Sequence, residues 1–420
     1  MKKLMISLAA SACLAAPAWA EDLPDYGASM EQAVAAFQSE DWVVLNDALD
    51  AAQTARPWSL HVYRNRILAR MLAERQDEAI ALAENAARRG LALNLSGHPA
   101  FETLTAQPAF EPVAALMKAN AEPLGEPGAV REFDETELLP EAIAYDRKKT
   151  LYVGSIRSGA ILKAGKKDET LSPVATAPGG VFDIELRGKK IWSVVNNQLA
   201  FKNADPENAF AAIMVFDEKT GDVLRDIKVA EDAALLGDLE VAKDGTAYAS
   251  DSITPRLFRL TPDGDALEIF SEDPRFVNPQ GIALDEKNDR IFMADYLSGI
   301  FAIDTNTGEA TQLANETDAH LGGIDGLYYH KGGLVGIQNG STPLRIVYMG
   351  LNDDATAITT FITMHSNLER WNEPTHGTVL GKDFHYIATS NWPSYGEDWT
   401  VKEGSELQPL RIMTAPLESK

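Results

Sequence analysis

Four residues able to do chemistry stand at matching places in four similar phrases of this chain. They are Glu141 in PEAIAYD, Gln280 in PQGIALD, Asp325 in IDGLYYH and His376 in THGTVLG. Each opens a run of apolar, β-branched or aromatic residues. Two further phrases, VFDIELR and GDLEVAK, put Phe182 and Gly237 with Asp238 at the same point. Carboxylates and amides without a thiol suit a hard cation, Ca²⁺ first, with Mg²⁺ or Mn²⁺ as alternatives. The same acids crowded without a cation would repel one another and raise their own pKa values. Cys13 is the only cysteine and lies in the leader described below. A mature chain without it excludes disulfides, thiol nucleophiles and Cys-ligated zinc.

Such residues need a scaffold that gathers them, and Asn278–Leu313 indicates which. Its apolar runs Gly281–Leu284, Arg290–Ala294, Gly299–Ile303 and Ala310–Leu313 are separated by Asp-, Asn-, Ser- and Gly-containing turns. That pattern predicts four antiparallel strands joined by tight hairpins, one propeller blade. Counterparts begin near Glu141, Phe182, Gly237, Gln280, Asp325 and His376, at spacings of 41 to 55 residues, within the blade range. The chain therefore reads as a six-bladed β-propeller over 129–420. Its last blade has three strands of its own, ending with Leu410–Thr414, and Val130–Phe133 supplies the fourth and latches the ring.

In a propeller the first strand of each blade lines the channel and the second ends on the same face. The second-strand ends add Ser155, Asn196 with Asn197, Asp251, Asp295, Gln338 with Asn339, and Ser390 with Asn391, beside the aromatics Phe182, Tyr296 and Trp392. The result is a set of oxygen donors at one mouth, suited to a small-molecule ligand. Blades five, six and one adjoin, so Asp325, His376 and Glu141 are expected close together. A histidine between two carboxylates has a raised pKa, and whether it serves as base or as counter-ion stays open. Asp183, Asp238, Asp251 and Asp295 read as turn and strand-end residues that bond backbone. Glu141 opens a strand where turn chemistry has no need of it.

The first 20 residues, MKKLMISLAASACLAAPAWA, have the basic start, short apolar run and small-residue end of a secretory signal, with cleavage expected after Ala20. Lipidation at Cys13 is the rival reading. A bacterial periplasmic or secreted location follows from the signal. The formal charge of −24 argues against nucleic acid or an anionic membrane as partner. No later apolar run is long enough for membrane insertion.

Residues 21–120 are helical in pattern, with apolar residues at three- and four-residue spacings over Met30–Ser39, Asp41–Thr54, Leu60–Arg75 and Asp77–Arg89. Asp41 and Asp77 stand where N-caps are useful, and Gly90 closes the fourth helix. LHVYRNRILARMLAERQDEAIALAENAARRG resembles a tetratricopeptide repeat, with Ala69, Ala79 and Ala86 at the small positions. HPAFETL and QPAFEPV read as a terminal capping region. The domain is thus a small all-α, tetratricopeptide-like one, which suggests a protein partner; a cap that only packs on the propeller is the alternative. Residues 121–128 read as the linker.

The blade openings PEAIAYD, PQGIALD and IDGLYYH resemble the senescence marker protein/gluconolactonase/luciferin-regenerating-enzyme family of six-bladed propellers. The resemblance implies an axial divalent metal held by Glu141, Gln280 and Asp325, where Gln280 replaces an Asn by an amide one methylene longer. It also implies Asp325 as the base that activates water, and His376 stands beside it as the other candidate catalytic residue. NNQLAFKNADPENAF replaces the segment that sugar-lactonase members use to bind substrate, which leaves the substrate open. Two functions follow: a metal-dependent hydrolase of a lactone or related ester, or a non-catalytic ligand- or protein-binding propeller with a helical interaction domain.

Overall fold

The computed structural model describes residues 24–198, 200–230 and 234–417. The expected leader lies outside them. The chain divides into two compact units, Met1–Asn120 and Ala121–Lys420.

Among the described residues, the N-terminal part holds α1 (Tyr26–Gln38), α2 (Trp42–Ala55), α3 (Leu60–Leu72), α4 (Gln76–Arg88), α5 (Pro99–Thr105) and α6 (Glu111–Ala121). The starts of α1, α2 and α3 are fixed by side chains that accept otherwise orphaned N–H groups. Asp25 accepts from Ala28 N at 2.9 Å, Asp41 from Val44 N at 3.1 Å and Ser59 from Val62 N at 3.4 Å. Asp77 is not a cap. It lies inside the first turn of α4 next to Glu78, where carboxylates favour the positive end of the helix dipole without closing an N–H. Gly90 leaves the helix at a φ of 83°, a conformation glycine adopts without steric cost. Ala69, Ala79 and Ala86 are fully buried, so α3 and α4 pack at positions where a larger side chain would overfill the core.

The second unit is a six-bladed β-propeller. Blades 1 to 4 are four-stranded antiparallel sheets spanning 140–176, 180–228, 236–272 and 279–312. Blade 5 (327–366) carries a fifth short strand, Ala314–Asn315, parallel to its outer edge. Blade 6 (377–416) takes its fourth strand from Val130–Phe133, with Val130 opposite Met413 and Phe133 opposite Leu410. The ring is thus latched as the sequence implied, and the edge of Leu410–Pro416 is covered. The 121–128 segment is bonded to this unit: Leu124 and Ser366 exchange two backbone hydrogen bonds of 2.9 Å, and Gly128 N donates to Thr414 O. The core consists of apolar layers between facing blades, such as Ala142, Val181, Ile184, Val195, Met214 and Phe216 between blades 1 and 2.

One local irregularity positions the site. In blades 1 to 4 the pairing of first and second strands shifts register at Pro140/Ile143, Val181/Asp183, Leu236/Leu239 and Pro279/Ile282. A bulge re-aims the residue inside it, and those residues are Glu141, Phe182, Gly237 with Asp238, and Gln280. In blades 5 and 6 the regular strands start later, at Leu327 and Gly377. Asp325 and His376 are still tied to the second strand, through Asp325 N to Ile337 O at 2.8 Å and Ile387 N to His376 O at 2.9 Å.

Candidate functional site

The positions that open the six blades, four in bulges and two just ahead of the regular strands, differ in chemistry around the ring. Blades 5, 6 and 1 contribute Asp325, His376 and Glu141, whose potential ligand atoms all lie within 4.8 Å of one another. Blades 2 and 3 contribute Phe182 and Gly237. Blade 4 contributes Gln280, whose amide nitrogen donates to Asn278 Oδ1 at 2.9 Å; its Oε1 lies on the side of Gly237.

Glu141 is 5% exposed and has both carboxylate oxygens engaged. His376 Nδ1 lies 2.9 Å from Oε2, and the indole N–H of Trp392 donates to Oε1. Asp325 Oδ2 accepts from Asn339 Nδ2 at 2.6 Å, and the Tyr296 hydroxyl in turn donates to Asn339 Oδ1 at 2.7 Å. The other imidazole nitrogen of His376, Nε2, is buried without a hydrogen-bond partner. A buried polar atom of this kind costs free energy until something pairs with it.

The electrostatics follow from the crowding. Burial and the charge of Glu141 push the Asp325 carboxyl up to about 7, against the opposing pull of His376 and Asn339. Burial disfavours the charged form of His376, but the hydrogen bond and charge of Glu141, with Asp238 and Asp325 behind it, raise it to about 10. In the protein alone the imidazolium form therefore dominates at neutral pH, and of the two roles left open for His376 the electrostatics favour counter-ion over base. Glu373 belongs to the same constellation: burial, then the charges of Asp325 and Glu141, push its carboxyl up to about 7. It sits in a left-handed backbone conformation at a φ of 57°. Its only trace in the sequence is its place in EPTHG, three residues before His376.

In blades 2 and 3 the acids Asp183 and Asp238 at the next position have a different job. Both bond backbone as expected, but from strands and not from turns. They lie in the first strands, where Asp183 Oδ2 accepts from Leu239 N of blade 3 at 3.0 Å and Asp238 Oδ2 from Ile282 N of blade 4 at 2.8 Å. Each carboxylate meets an N–H that the bulge of the following blade frees from the ladder. Burial and the neighbouring Asp183 push the Asp238 carboxyl well up, and these two acids also approach His376 within 4.8 Å.

The second-strand ends are occupied by the loops. Asp295 accepts from the N–H groups of Val277, Asn278, Leu297 and Ser298. Asp251 accepts from Leu235, Ile253 and Thr254, Asn196 bonds both ways with Leu236, and Gln338 Nε2 donates to His320 O and Gly322 O. Of the oxygen donors counted from the sequence at these ends, only Asn339 reaches the acid cluster.

No family model matches the chain, and no curated protein sequence does either. Among solved structures the chain is similar to the PQQ-bound aldose sugar dehydrogenase of Streptomyces coelicolor at 14% identity, over 70% of this chain and 98% of that one, TM-score 0.49. It is also similar to a putative oxidoreductase (glucose dehydrogenase) of Thermus thermophilus at 12% identity (68% and 99% covered, TM-score 0.48). A third is virginiamycin B lyase of Staphylococcus aureus at 12% identity (69% and 99% covered, TM-score 0.48). The propeller described above rests on its own strand pairing and not on these likenesses.

Proposed function

We propose that the protein is a periplasmic hydrolase of a lactone or related ester, dependent on a divalent cation held at the mouth of the propeller channel. The observation that carries this reading is the convergence of Glu141, Asp325 and His376, from three blades, within 4.8 Å. The donor set fits a hard cation: the carboxylates of Glu141 and Asp325, with an amide oxygen available from Gln280 and no sulfur. Glu141 and Asp325 would hold it, with Gln280 as the third ligand if its side chain turns toward the axis. When bound, the cation would polarise the ester carbonyl.

The remaining work falls to the chain's own groups. Asp325, oriented by Asn339 through Oδ2, takes the proton of the attacking water as general base. His376, fixed through Nδ1 by Glu141, supplies positive charge beside the reacting centre. Trp392 locks the second oxygen of Glu141 and so keeps that carboxylate from rotating.

The test combines calcium-, magnesium- and manganese-dependent thermal shifts with a lactone-hydrolysis panel on wild type and Asp325→Asn. Hydrolysis that is lost in the variant together with the cation shift supports the reading. Hydrolysis that survives the substitution ends it. A cation or ligand shift with no hydrolysis of any lactone or ester favours the second reading, a ligand-binding propeller. That reading is supported by the hydrogen bonds that already engage both oxygens of Glu141 and one of Asp325.

A further inference from the structure

The helical unit contains a cavity of about 650 Å³ between α2, the turn after it, α3 and α4, a size typical of sites for small organic ligands. One wall is electrically closed. Arg66 and Arg70 meet Asp50 at 2.7 and 2.6 Å, and Arg70 also meets Glu78 at 3.3 Å. The other wall is not. Arg89 lines the cavity with its guanidinium 5.5 Å from the centre of the Trp58 ring, and no carboxylate pairs with it among the described residues. Its neighbour Arg88 instead pairs with Glu84 at 2.6 Å on the outer surface.

One helical turn before Arg89, Asn85 faces the same space. The Tyr63 hydroxyl lies 2.8 Å from Asn85 Oδ1 and 3.2 Å from Leu82 O, and its donation to the nearer Oδ1 leaves the Asn85 NH₂ as the end able to donate. Asn85 stands in the last turn of α4 and Arg89 caps that helix four residues on, so an amide NH₂ and a guanidinium both line the cavity and can donate to one carboxylate. Beneath them, Pro57, Ala81 and Leu82 supply an apolar floor. Gln53 stands at the far side, 9% exposed, its Oε1 without a hydrogen-bond partner.

We propose that this cavity binds an organic acid, gripped at its carboxylate by Arg89 and Asn85, with its apolar body on Pro57 and Leu82. In a chain of net charge −24, an Arg without an acid beside it marks a place where negative charge is accepted. The volume is too large for a bare inorganic anion and fits a carboxylate carried by a side-chain-sized apolar group. A free hydrophobic acid and the last residue of a polypeptide share that chemistry.

The full-length protein is titrated by isothermal calorimetry with N-acetylleucine, with N-acetylleucinamide and with a hexapeptide ending in leucine. Binding of the acid but not of the amide is expected, and Arg89→Gln and Asn85→Leu each weaken it by at least tenfold. Circular dichroism checks that the variants stay helical, and Arg89→Lys, which keeps the charge, retains part of the affinity. Binding of the small acid alone assigns a free metabolite-sized acid, and binding of the peptide alone assigns a polypeptide terminus. Equal affinity for the amide, or no heat from any ligand at millimolar concentration, overturns the proposal. Because the site lies wholly in the helical unit, lactone hydrolysis by Arg89→Gln stays at the wild-type rate whether or not the acid binds.

Discussion

At the scale of single residues, the carboxyl of Asp325 is the most informative group. Its pKa is raised to about 7 by burial and by Glu141, well above the ~4 of a carboxyl in an unfolded chain. Glu373 is raised to about 7 as well. For both, the folded state holds a proton that the unfolded state gives up, so their contribution is fully present below the unfolded pKa and is lost as pH climbs toward 7. His376, raised to about 10, contributes stability that is intact below its unfolded value and is lost as pH rises from there through about 10. All three slopes have the same sign. The melting temperature of the protein in chelator should therefore fall between pH 5 and pH 8, and Asp325→Asn, which keeps the shape and removes the titration, should flatten the fall between pH 5 and 7. A wild-type curve already flat over that range would show that the carboxyl is not held neutral by its surroundings.

At the scale of elements, the bulged starts of the first strands do the positioning, and small residues make them possible. Gly281 N donates to Asp325 O at 2.6 Å, and a β-carbon at Gly281 would stand 2.3 Å from that same oxygen. Blade 4 thus holds the backbone of the blade-5 acid at a distance only glycine allows. Gly281→Ala is expected to move Asp325 while leaving its chemistry intact. Since a misplacement of about 1 Å can cost on the order of a hundredfold in rate, the hydrolysis proposed for this site should fall by roughly ten- to a hundredfold with the far-ultraviolet spectrum unchanged. Unaltered activity and unaltered cation-induced thermal shift in this variant would separate the blade contact from the site. Asp183 and Asp238 act at the same scale, each tying one bulge to the next through a single N–H.

At the scale of the whole molecule, ring closure makes the site possible, because Glu141 and His376 are neighbours only when blade 6 meets blade 1. Thr375 Oγ1 donates to Pro140 O at 3.3 Å across that seam, and Val130–Phe133 completes blade 6 from the other end of the unit. A fragment beginning at Ala121 keeps the latch and should fold to the propeller. One beginning at Thr136 lacks it and exposes the edge of Leu410–Pro416, which favours aggregation through strand pairing. Size-exclusion chromatography of the two fragments distinguishes these outcomes, and a monomeric, folded 136–420 fragment would show the latch to be dispensable.

Much of this was legible in the residues alone. The recurrence of turn clusters and apolar runs determined six blades, the leftover strand Val130–Phe133 determined the closure, and equivalent phrase positions determined that Glu141, Asp325 and His376 meet. These features depend on local period and on counting, which a linear chain carries in full. Tertiary structure decided what each polar group is left free to do. Asp251 and Asp295 are taken up by loop N–H groups, Asp183 and Asp238 by the bulge of the following blade, and Asp77 closes no N–H of its helix. Glu373 feels the charges of Asp325 and Glu141, a proximity its sequence does not signal. Carboxylates are alike on paper, and their roles separate only when the folded backbone fixes which donors remain unsatisfied around each one.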